Sequence, residues 1–188
     1  MWIATADLKD LHVEKGDGGM VPFTGVLAGL IRKGVEVRLL HAKEPGENWR
    51  RDFDRYPVLR EGMERMLCPR VHFKCVVVDG RKAYFGSANL TGARMGAKSG
   101  RKRNFESGVW TDEPGLVRAQ EEQFDAVWRG EFCEACGRKA YCGDCPLDCA
   151  REGSWGGRNG GLEWFYEYCS RFAVAGPTAG RAVCKGHS

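Results

Sequence analysis

The sequence contains no apolar run that approaches the roughly 18 residues of a transmembrane helix. Its first ten residues, MWIATADLKD, lack the basic and apolar regions of a signal peptide. Charge of one sign is not in large excess, because the net charge of +4 permits a polyanionic partner without requiring one. These absences predict a cytoplasmic globular protein that has no membrane partner.

One stretch, VHFKCVVVDGRKAYFGSAN, concentrates groups suited to phosphate chemistry. Its polar members are His72, Lys74, Asp79, Ser87 and Asn89. The apolar run 71–78 predicts a buried strand, on which His72 and Lys74 share one face because they are two positions apart. Asp79-Gly80 predicts a hairpin turn, followed by a returning strand over 83–85. We therefore expect the polar groups to meet at one end of the hairpin.

Each of these residue types has a chemical use there. A neutral imidazole can attack phosphorus, which makes His72 the candidate nucleophile. Lys74 and the amide of Asn89 suit phosphate oxygens, and Ser87 can add a donor. The alternative is an ordinary structural His and Lys on a strand. We disfavour it because burying these groups without a use is costly.

The pattern HxKxxxxD, followed after six residues by GSxN, resembles the signature of the phospholipase D superfamily. The matching residues are His72, Lys74, Asp79, Gly86, Ser87 and Asn89. A second H-x-K, at His41, lacks the rest of the pattern, so the chain looks like the small nuclease branch, with one motif copy. The resemblance implies an α/β/α sandwich with a mixed central sheet. It also implies a homodimer, since two motif copies build one active site in this family.

The resemblance further implies a mechanism without a catalytic cofactor. One copy of His72 forms a phosphohistidine, while the second copy protonates the leaving oxygen and then activates water. Glu106 sits where the family often places an acid that hydrogen-bonds an active-site His, although it could instead pair with Arg103 on the surface. Asp79 is expected to stabilise the hairpin turn. In the family a strand and a helix usually precede the segment that residues 2–6 resemble.

A basic stretch without any acid lies between Thr91 and Asn104. Its cations are Arg94, Lys98, Arg101, Lys102 and Arg103. Because it directly follows the catalytic turn, we expect it at the mouth of the cleft, where it could bind the nucleic-acid backbone. A solvated loop with no binding role is the alternative. We expect the neighbouring Phe105 and Trp110 in the core instead of stacked on bases.

Nine cysteines without an export signal favour metal binding over disulfides. Cys133, Cys136, Cys142 and Cys145 form two C-x2-C pairs that can enclose a tetrahedral zinc ion of structural type. Gly137 and Gly143 would allow the tight turns, and Cys149 is a spare ligand. An iron–sulfur cluster, and free thiols or disulfides, stay open as alternatives. Cys68 and Cys75 are expected to be buried core thiols.

The expected organisation is a catalytic domain over 1–130, a cysteine-rich element over 131–150 and a Gly- and aromatic-rich, partly disordered tail over 151–188. Hydrophobic periodicity and turn residues predict the elements of the first domain. They are a strand at 2–6, a loop at 7–20, a helix at 23–33 capped by Thr24 and ended by Gly34, a strand at 35–40, a helix at 50–67 broken near Pro57, a strand at 105–110, and a helix from Pro114 to about Arg129.

The function favoured by this sequence is a metal-independent endonuclease, with DNA and RNA both open as substrates. A phospholipase D or phosphatidyltransferase acting on phospholipid is one alternative, since the same chemistry would serve. A non-catalytic nucleic-acid-binding module with a zinc finger is the other.

Overall fold

The structure, a computed structural model, describes residues 1–16, 18–91 and 104–146. The five cations of the basic stretch, Cys149 and the tail 151–188 lie outside these ranges, so their predicted roles stay predictions. Within the described ranges, no helix combines the length and the apolar character needed to cross a membrane.

A mixed six-stranded sheet forms the centre of the described chain. The strands are β1 (Trp2–Thr5), β2 (His12–Glu14), β3 (Met20–Pro22), β4 (Val37–His41), β5 (Met63–Leu67), β6 (Cys75–Val78), β7 (Lys82–Gly86) and β8 (Gly108–Thr111). The helices are α1 (Phe23–Ile31), α2 (Glu47–Asp54), α3 (Val58–Gly62) and α4 (Pro114–Trp128). The sheet order is β5-β4-β1-β6-β7-β8, and β2 and β3 form a separate two-stranded sheet. Strands β1, β4 and β5 are parallel, whereas β6, β7 and β8 pair antiparallel with their neighbours.

Successive side chains of the sheet strands pack into two separate cores, one on each face of the sheet. Ile3 and Leu39 pack on one face in a cluster that includes residues from α1, α2 and α3. Ala4 and Leu40 pack on the opposite face with Phe124 and other residues of α4. Because successive side chains of a strand point to opposite faces, both faces need a cover. The result is the predicted α/β/α sandwich with a mixed sheet.

The helix ends follow local chemistry, with one exception. Gly34, three residues after the end of α1, has φ 83° as its predicted role requires, and the Val35 N–H donates to the Leu30 carbonyl at 3.1 Å. Glu113 caps α4 by accepting hydrogen bonds from the N–H groups of residues 115 and 116, which lower the pKa of its carboxyl. Thr24 was wrongly predicted as a cap. Pro22 precedes α1, and Thr24 is buried in the first turn with its hydroxyl unpaired.

The predicted helix over 50–67 is wrong in its last third. The chain forms α2 and α3 and then enters β5, which pairs with β4 from Met63 to Leu67. Met63 and Met66 are three residues apart, a spacing that also suits one face of a helix. In the structure they pack into the cores on opposite faces of the sheet. Tertiary pairing with β4 therefore overrides the helical pattern.

Smaller differences concern loops and surface positions. The predicted loop over 7–20 includes β2 and the start of β3. The last strand begins at Gly108, three residues later than predicted. On α4, Val117, Phe124 and Trp128 are buried, whereas Leu116, another apolar residue of its first turn, is 44% exposed.

A buried hydroxyl at the end of β1 secures the chain that follows β7. Thr5 is fully buried, and its Oγ1 accepts a hydrogen bond from the Leu90 N–H at 3.1 Å. The Ala6 N–H donates to Asn89 Oδ1 at 3.1 Å, and Thr5 Oγ1 lies 3.3 Å from the same oxygen. These contacts fix the turn after β7 against the carboxyl end of β1.

We predict that Thr5→Val lowers the free energy of unfolding by about 1–3 kcal/mol, because it leaves the buried Leu90 N–H without its acceptor. Thr24→Val is the matched control. It removes a buried hydroxyl that has no partner, so stability should be unchanged or higher by up to about 1 kcal/mol. Urea unfolding of both variants measures the difference. Equal losses in the two would contradict the role assigned to Thr5.

Candidate active site

A tight hairpin aligns the two halves of the motif. Asp79 and Gly80 have φ of 54° and 62°, and the Arg81 N–H donates to the Val78 carbonyl at 3.0 Å. Positive φ at both central positions matches the right-handed twist of a hairpin, so the turn predicted here is confirmed. Asp79 lies in this turn, at the opposite end of the hairpin from His72. The structure therefore does not bring Asp79 to the other motif residues.

His72 and Lys74 lie just before the strand that was predicted to contain them, because β6 begins at Cys75. Pairing with the returning strand still reaches this segment, since the Gly86 N–H donates to the Lys74 carbonyl at 3.1 Å. Lys74 is 8% exposed and His72 is exposed. The Lys74 ammonium lies 3.3 and 3.4 Å from the two ring nitrogens of His72 and also donates to the His72 carbonyl. The buried cation thus holds the exposed ring.

These two side chains open into a cleft of about 700 Å³. It is lined by His72, Lys74, Phe85, Gly86, Ser87, Glu106, Ser107, Gly108 and Val109. Four of the six predicted catalytic residues are therefore brought together here: His72, Lys74, Ser87 and Glu106. The cleft also contains Ser107, Gly108 and Val109, which were not predicted from the sequence. The one sequence feature that could have indicated them is the Ser-Gly pair at 107–108, which matches the Gly-Ser pair at 86–87.

Ser87 connects the two walls of the cleft. Its hydroxyl donates to Glu106 Oε2 at 2.5 Å and accepts from the Ser107 N–H at 3.0 Å. Its own N–H donates to the Ser107 carbonyl at 2.9 Å. The contact between Glu106 and Ser87 was not predicted, and a hydrogen bond from Glu106 to His72 stays a prediction. The alternative partner, Arg103, lies outside the described residues.

The glycine of the motif is required by packing. A Cβ on Gly86 would lie 2.5 Å from the Ser107 carbonyl oxygen and 2.7 Å from Gly108 Cα, distances at which backbone atoms must move. A Cβ on Gly108 would lie 2.6 Å from the ring of Tyr84. Strands β7 and β8 therefore approach closely only because both positions lack a side chain. This approach sets Ser87 beside Glu106.

Asn89 lies behind the cleft instead of lining it. It is 7% exposed, and its Oδ1 accepts the Ala6 N–H. Because the oxygen is used in this way, the Nδ2 amide is the group that could donate to a ligand. Thr5, which also contacts Asn89, is a supporting residue that the sequence reasoning missed. Its position at the end of a predicted strand was the only signal.

Phe105 and Trp110 are not core residues, contrary to prediction. Phe105 is fully exposed and Trp110 is 59% exposed. Trp110 lies on β8, which is the edge strand of the sheet in the described ranges, and Phe105 precedes this strand. Val109, which lines the cleft, is 46% exposed on the same strand. The cleft is therefore bordered by an exposed apolar sheet edge.

The cysteines after α4 pack against the end of β5. Burial raises the pKa of Cys133 to about 12 and that of Cys142 to about 11, and neighbouring thiols, Cys68 and Cys145 among them, add to both shifts. Cys136 behaves differently, because hydrogen bonds from the Arg138 backbone and the Arg70 side chain lower its pKa. The zinc site predicted at Cys133, Cys136, Cys142 and Cys145 stays a prediction. The thiols that interact with one another in the structure include Cys68, which was not among the predicted ligands.

Gly137 and Gly143 lie in turns, as predicted, although neither has a positive φ, and the residue that redirects the chain after α4 is Gly130, with φ 75°. Cys68 is half-buried, whereas Cys75 is buried as expected, and burial raises its pKa to about 12. Elsewhere in the described ranges, Asp10, His12 and Asp52 place potential ligand atoms within 4.8 Å of one another. Pairing of Asp10 with His12 and of Asp52 with Arg55 accounts for these groups.

The protein is thus an α/β/α sandwich with a cleft whose histidine and lysine suit the binding of phosphate esters. A family model described as "Cardiolipin synthase, PLD-like domain" matches residues 22–128, which include α1 to α4 and the whole cleft. The chain belongs to the phospholipase D superfamily, and its general activity is that of a phosphodiesterase.

Solved structures similar to this chain include NucT from Helicobacter pylori, with 13% identity, a TM-score of 0.48 and coverage of 68% of this chain and 77% of the other. Nuc from Salmonella typhimurium, a phospholipase D family member, has 15% identity, a TM-score of 0.46 and coverage of 68% and 76%. TrmBL2, an archaeal chromatin protein, has 17% identity, a TM-score of 0.44 and coverage of 68% and 43%. No curated protein matches the chain.

We predict that Gly86→Ala destabilises the protein by about 1–3 kcal/mol and lowers its activity, because the new methyl group separates β7 from β8. Gly29→Ala is the control. A Cβ there meets nothing within 4 Å, and the substitution in α1 should stabilise by about 0.5–1 kcal/mol. Thermal unfolding measures both effects. A Gly86→Ala variant as stable as the Gly29→Ala variant would show that the close approach is not required.

Proposed function

We propose that the protein is a metal-independent nuclease that cleaves phosphodiester bonds of nucleic acid through a phosphohistidine, with an active site shared by two copies of the chain. The observation that supports this most directly is the exposed imidazole of His72, which lies 3.3 Å from the buried ammonium of Lys74 in an open cleft. A nucleophile and a fixed cation at this distance suit a phosphate group.

In the proposed reaction a ring nitrogen of His72 forms a bond to phosphorus as the bond to the leaving oxygen breaks. The ring of His72 from a second copy gives that oxygen its proton. The same second ring then takes a proton from water. The hydroxide attacks phosphorus, the phosphorus–nitrogen bond breaks, and His72 is regenerated.

Lys74 and Asn89 are proposed to stabilise the negative charge that accumulates on the phosphate oxygens in both steps. Lys74 is largely removed from water, which strengthens its interaction with an anion. Its contacts with His72 fix its position before substrate binds, so little reorganisation is needed. Ser87 is proposed as a further donor at the opposite wall, with a phosphate oxygen taking the place of Glu106 as the acceptor of its hydroxyl.

The shared active site is supported by the character of the sheet edge. Among the described residues that line the cleft there is one histidine, yet the mechanism needs one imidazole to attack and another to transfer protons. The edge strand β8 borders the cleft and exposes Val109 and Trp110, apolar surface that a second copy could cover. We propose that two copies associate so that their clefts face each other, with two-fold symmetry.

Nucleic acid is favoured over phospholipid by the charge around the cleft. The segment with five cations and no acid joins Thr91 to Asn104, and residues near both ends, Ser87 and Glu106, line the cleft. A long polyanion can use several cations at once, whereas a single lipid headgroup cannot. The matching family model bears the description of a cardiolipin synthase, so phosphatidyl transfer is the alternative that the experiments must separate.

We predict that the full chain cleaves oligonucleotides in excess EDTA and that His72→Asn lowers the rate at least about 10³-fold, because the nucleophile is lost. His12→Asn, which changes another partly exposed histidine, should keep the wild-type rate. The measurement is gel-resolved cleavage of single- and double-stranded DNA and RNA. Wild-type enzyme quenched in alkaline denaturant, in which a phosphorus–nitrogen bond survives, should carry the substrate's labelled phosphoryl group on His72.

Three outcomes would contradict this proposal. Cleavage that stops in EDTA and returns with Mg²⁺ or Mn²⁺, but not with Zn²⁺, would indicate metal-dependent chemistry. Turnover of phospholipid vesicles without any cleavage of oligonucleotides would assign the site to lipid. Binding of oligonucleotides with no cleavage, unchanged in His72→Asn, would identify a non-catalytic binding module.

A mixing experiment tests the shared site separately. If each active site needs His72 from both copies, equal amounts of wild-type and His72→Asn chains, randomly assembled by co-refolding, should retain about a quarter of the wild-type activity. Independent sites would retain about half. A value near half, or a monomer in sedimentation at assay concentrations, would exclude the two-copy site.

A further inference from the structure

The cysteine segment, defined here as residues 131–146, contacts the catalytic domain at a particular place. Leu67, the last residue of β5, donates its N–H to Asp144 Oδ2 at 2.7 Å. Its carbonyl lies 3.6 Å from Cys142 Sγ, which donates to it. The next residue along the chain is Cys68. The second C-x2-C pair of the segment therefore contacts Leu67, the residue before Cys68.

The thiols of both regions interact with one another. Cys133 hydrogen-bonds to Cys145, which is 2% exposed, and interacts with Cys68 and Cys142. Cys142 in turn interacts with Cys68 and Cys145. Gly130 lets the chain turn back after α4, and a Cβ there would lie 3.3 Å from Cys133 Sγ. Four thiols are thus neighbours, three from the cysteine segment and one from the end of the sheet.

Cys136 interacts with a different set of residues. Its sulfur interacts with the Arg138 backbone, with the Arg70 side chain and with Lys139. Arg70 also donates to the Phe132 carbonyl at 3.3 Å, so its guanidinium is fixed beside the first C-x2-C pair. These partners of Cys136 include no thiol, whereas Cys133 and Cys142 both interact with Cys68.

We propose that Cys68, Cys133, Cys142 and Cys145 bind one structural zinc ion, with Cys68 replacing Cys136 in the ligand set that spacing alone suggests. Four thiolates around Zn²⁺ at about 2.3 Å give sulfur–sulfur distances near 3.8 Å. No three cysteine sulfurs in the described ranges lie within 4.8 Å of one another, so binding draws the cluster together. The ion then joins the cysteine segment to the chain four residues before His72.

This arrangement gives the metal a positioning role without a catalytic one. The Val71 N–H donates to the Cys68 carbonyl at 2.9 Å, so the residues from Cys68 to His72 form a short, internally bonded link. Four sulfur ligands leave the ion no open position for water or substrate. Zinc fixes the start of this link, and the sheet fixes its end at Cys75.

The test measures metal content and thiol reactivity, neither of which depends on nuclease activity. The full chain should contain about one zinc ion per chain by mass spectrometry of the metal. After dialysis against a moderate chelator, Cys68→Ser should fall below about a tenth of that content, and Cys136→Ser should keep it. Cys75→Ser, at a buried thiol outside the cluster, should also keep it.

A second measurement uses the wild-type chain and so does not depend on folding of Cys68→Ser. Alkylation followed by peptide mass spectrometry should modify Cys136 in the zinc-loaded protein and should spare Cys68, Cys133, Cys142 and Cys145 until the metal is removed. Protection of Cys136 or Cys149 in place of Cys68 would overturn the proposed set. So would iron at the site, or a wild-type chain that binds no zinc.

Discussion

The hydroxyl of Thr5 is the contact on which the rest of the site depends. It lies fully buried where the parallel half of the sheet meets the antiparallel half, and it accepts the N–H of Leu90. Without this acceptor, the chain after β7 would have a buried donor unpaired, and the cost would fall on the turn that contains Ser87 and Asn89. One hydroxyl thus ties the motif to the central strand.

From that anchor the cleft is built by two close approaches. Lys74 reaches the ring and the carbonyl of His72, which fixes a cation beside the nucleophile. Gly86 allows β8 to approach β7, which places Glu106 within hydrogen-bonding distance of Ser87. The motif therefore contains residues with chemical roles and residues with purely geometric ones. Gly86 and Asp79 belong to the second kind, one through close packing and the other through a left-handed turn.

Features that depend on neighbouring residues could be predicted from the sequence. Features that depend on pairing between distant strands could not. The turn at Asp79-Gly80, the helix ended by Gly34 and the meeting of His72, Lys74 and Ser87 follow from short-range chemistry. Strand β5 did not, because Met63 and Met66 have a spacing that fits a helix until β4 pairs beside them. The exposure of Trp110 could not be read either, since it depends on β8 being the edge of the sheet. The same limit applies to the cysteines, where spacing pairs Cys133 with Cys136 and only the fold brings in Cys68.

The hairpin from β6 to β7 has a consequence for chain entropy. His72 and Ser87 meet through a tight turn instead of a long loop, and the cost of joining two chain positions rises with the length of the intervening loop. Most of the cleft's reactive groups are therefore assembled at a small conformational cost. Variation in the long segments elsewhere can accumulate without separating them.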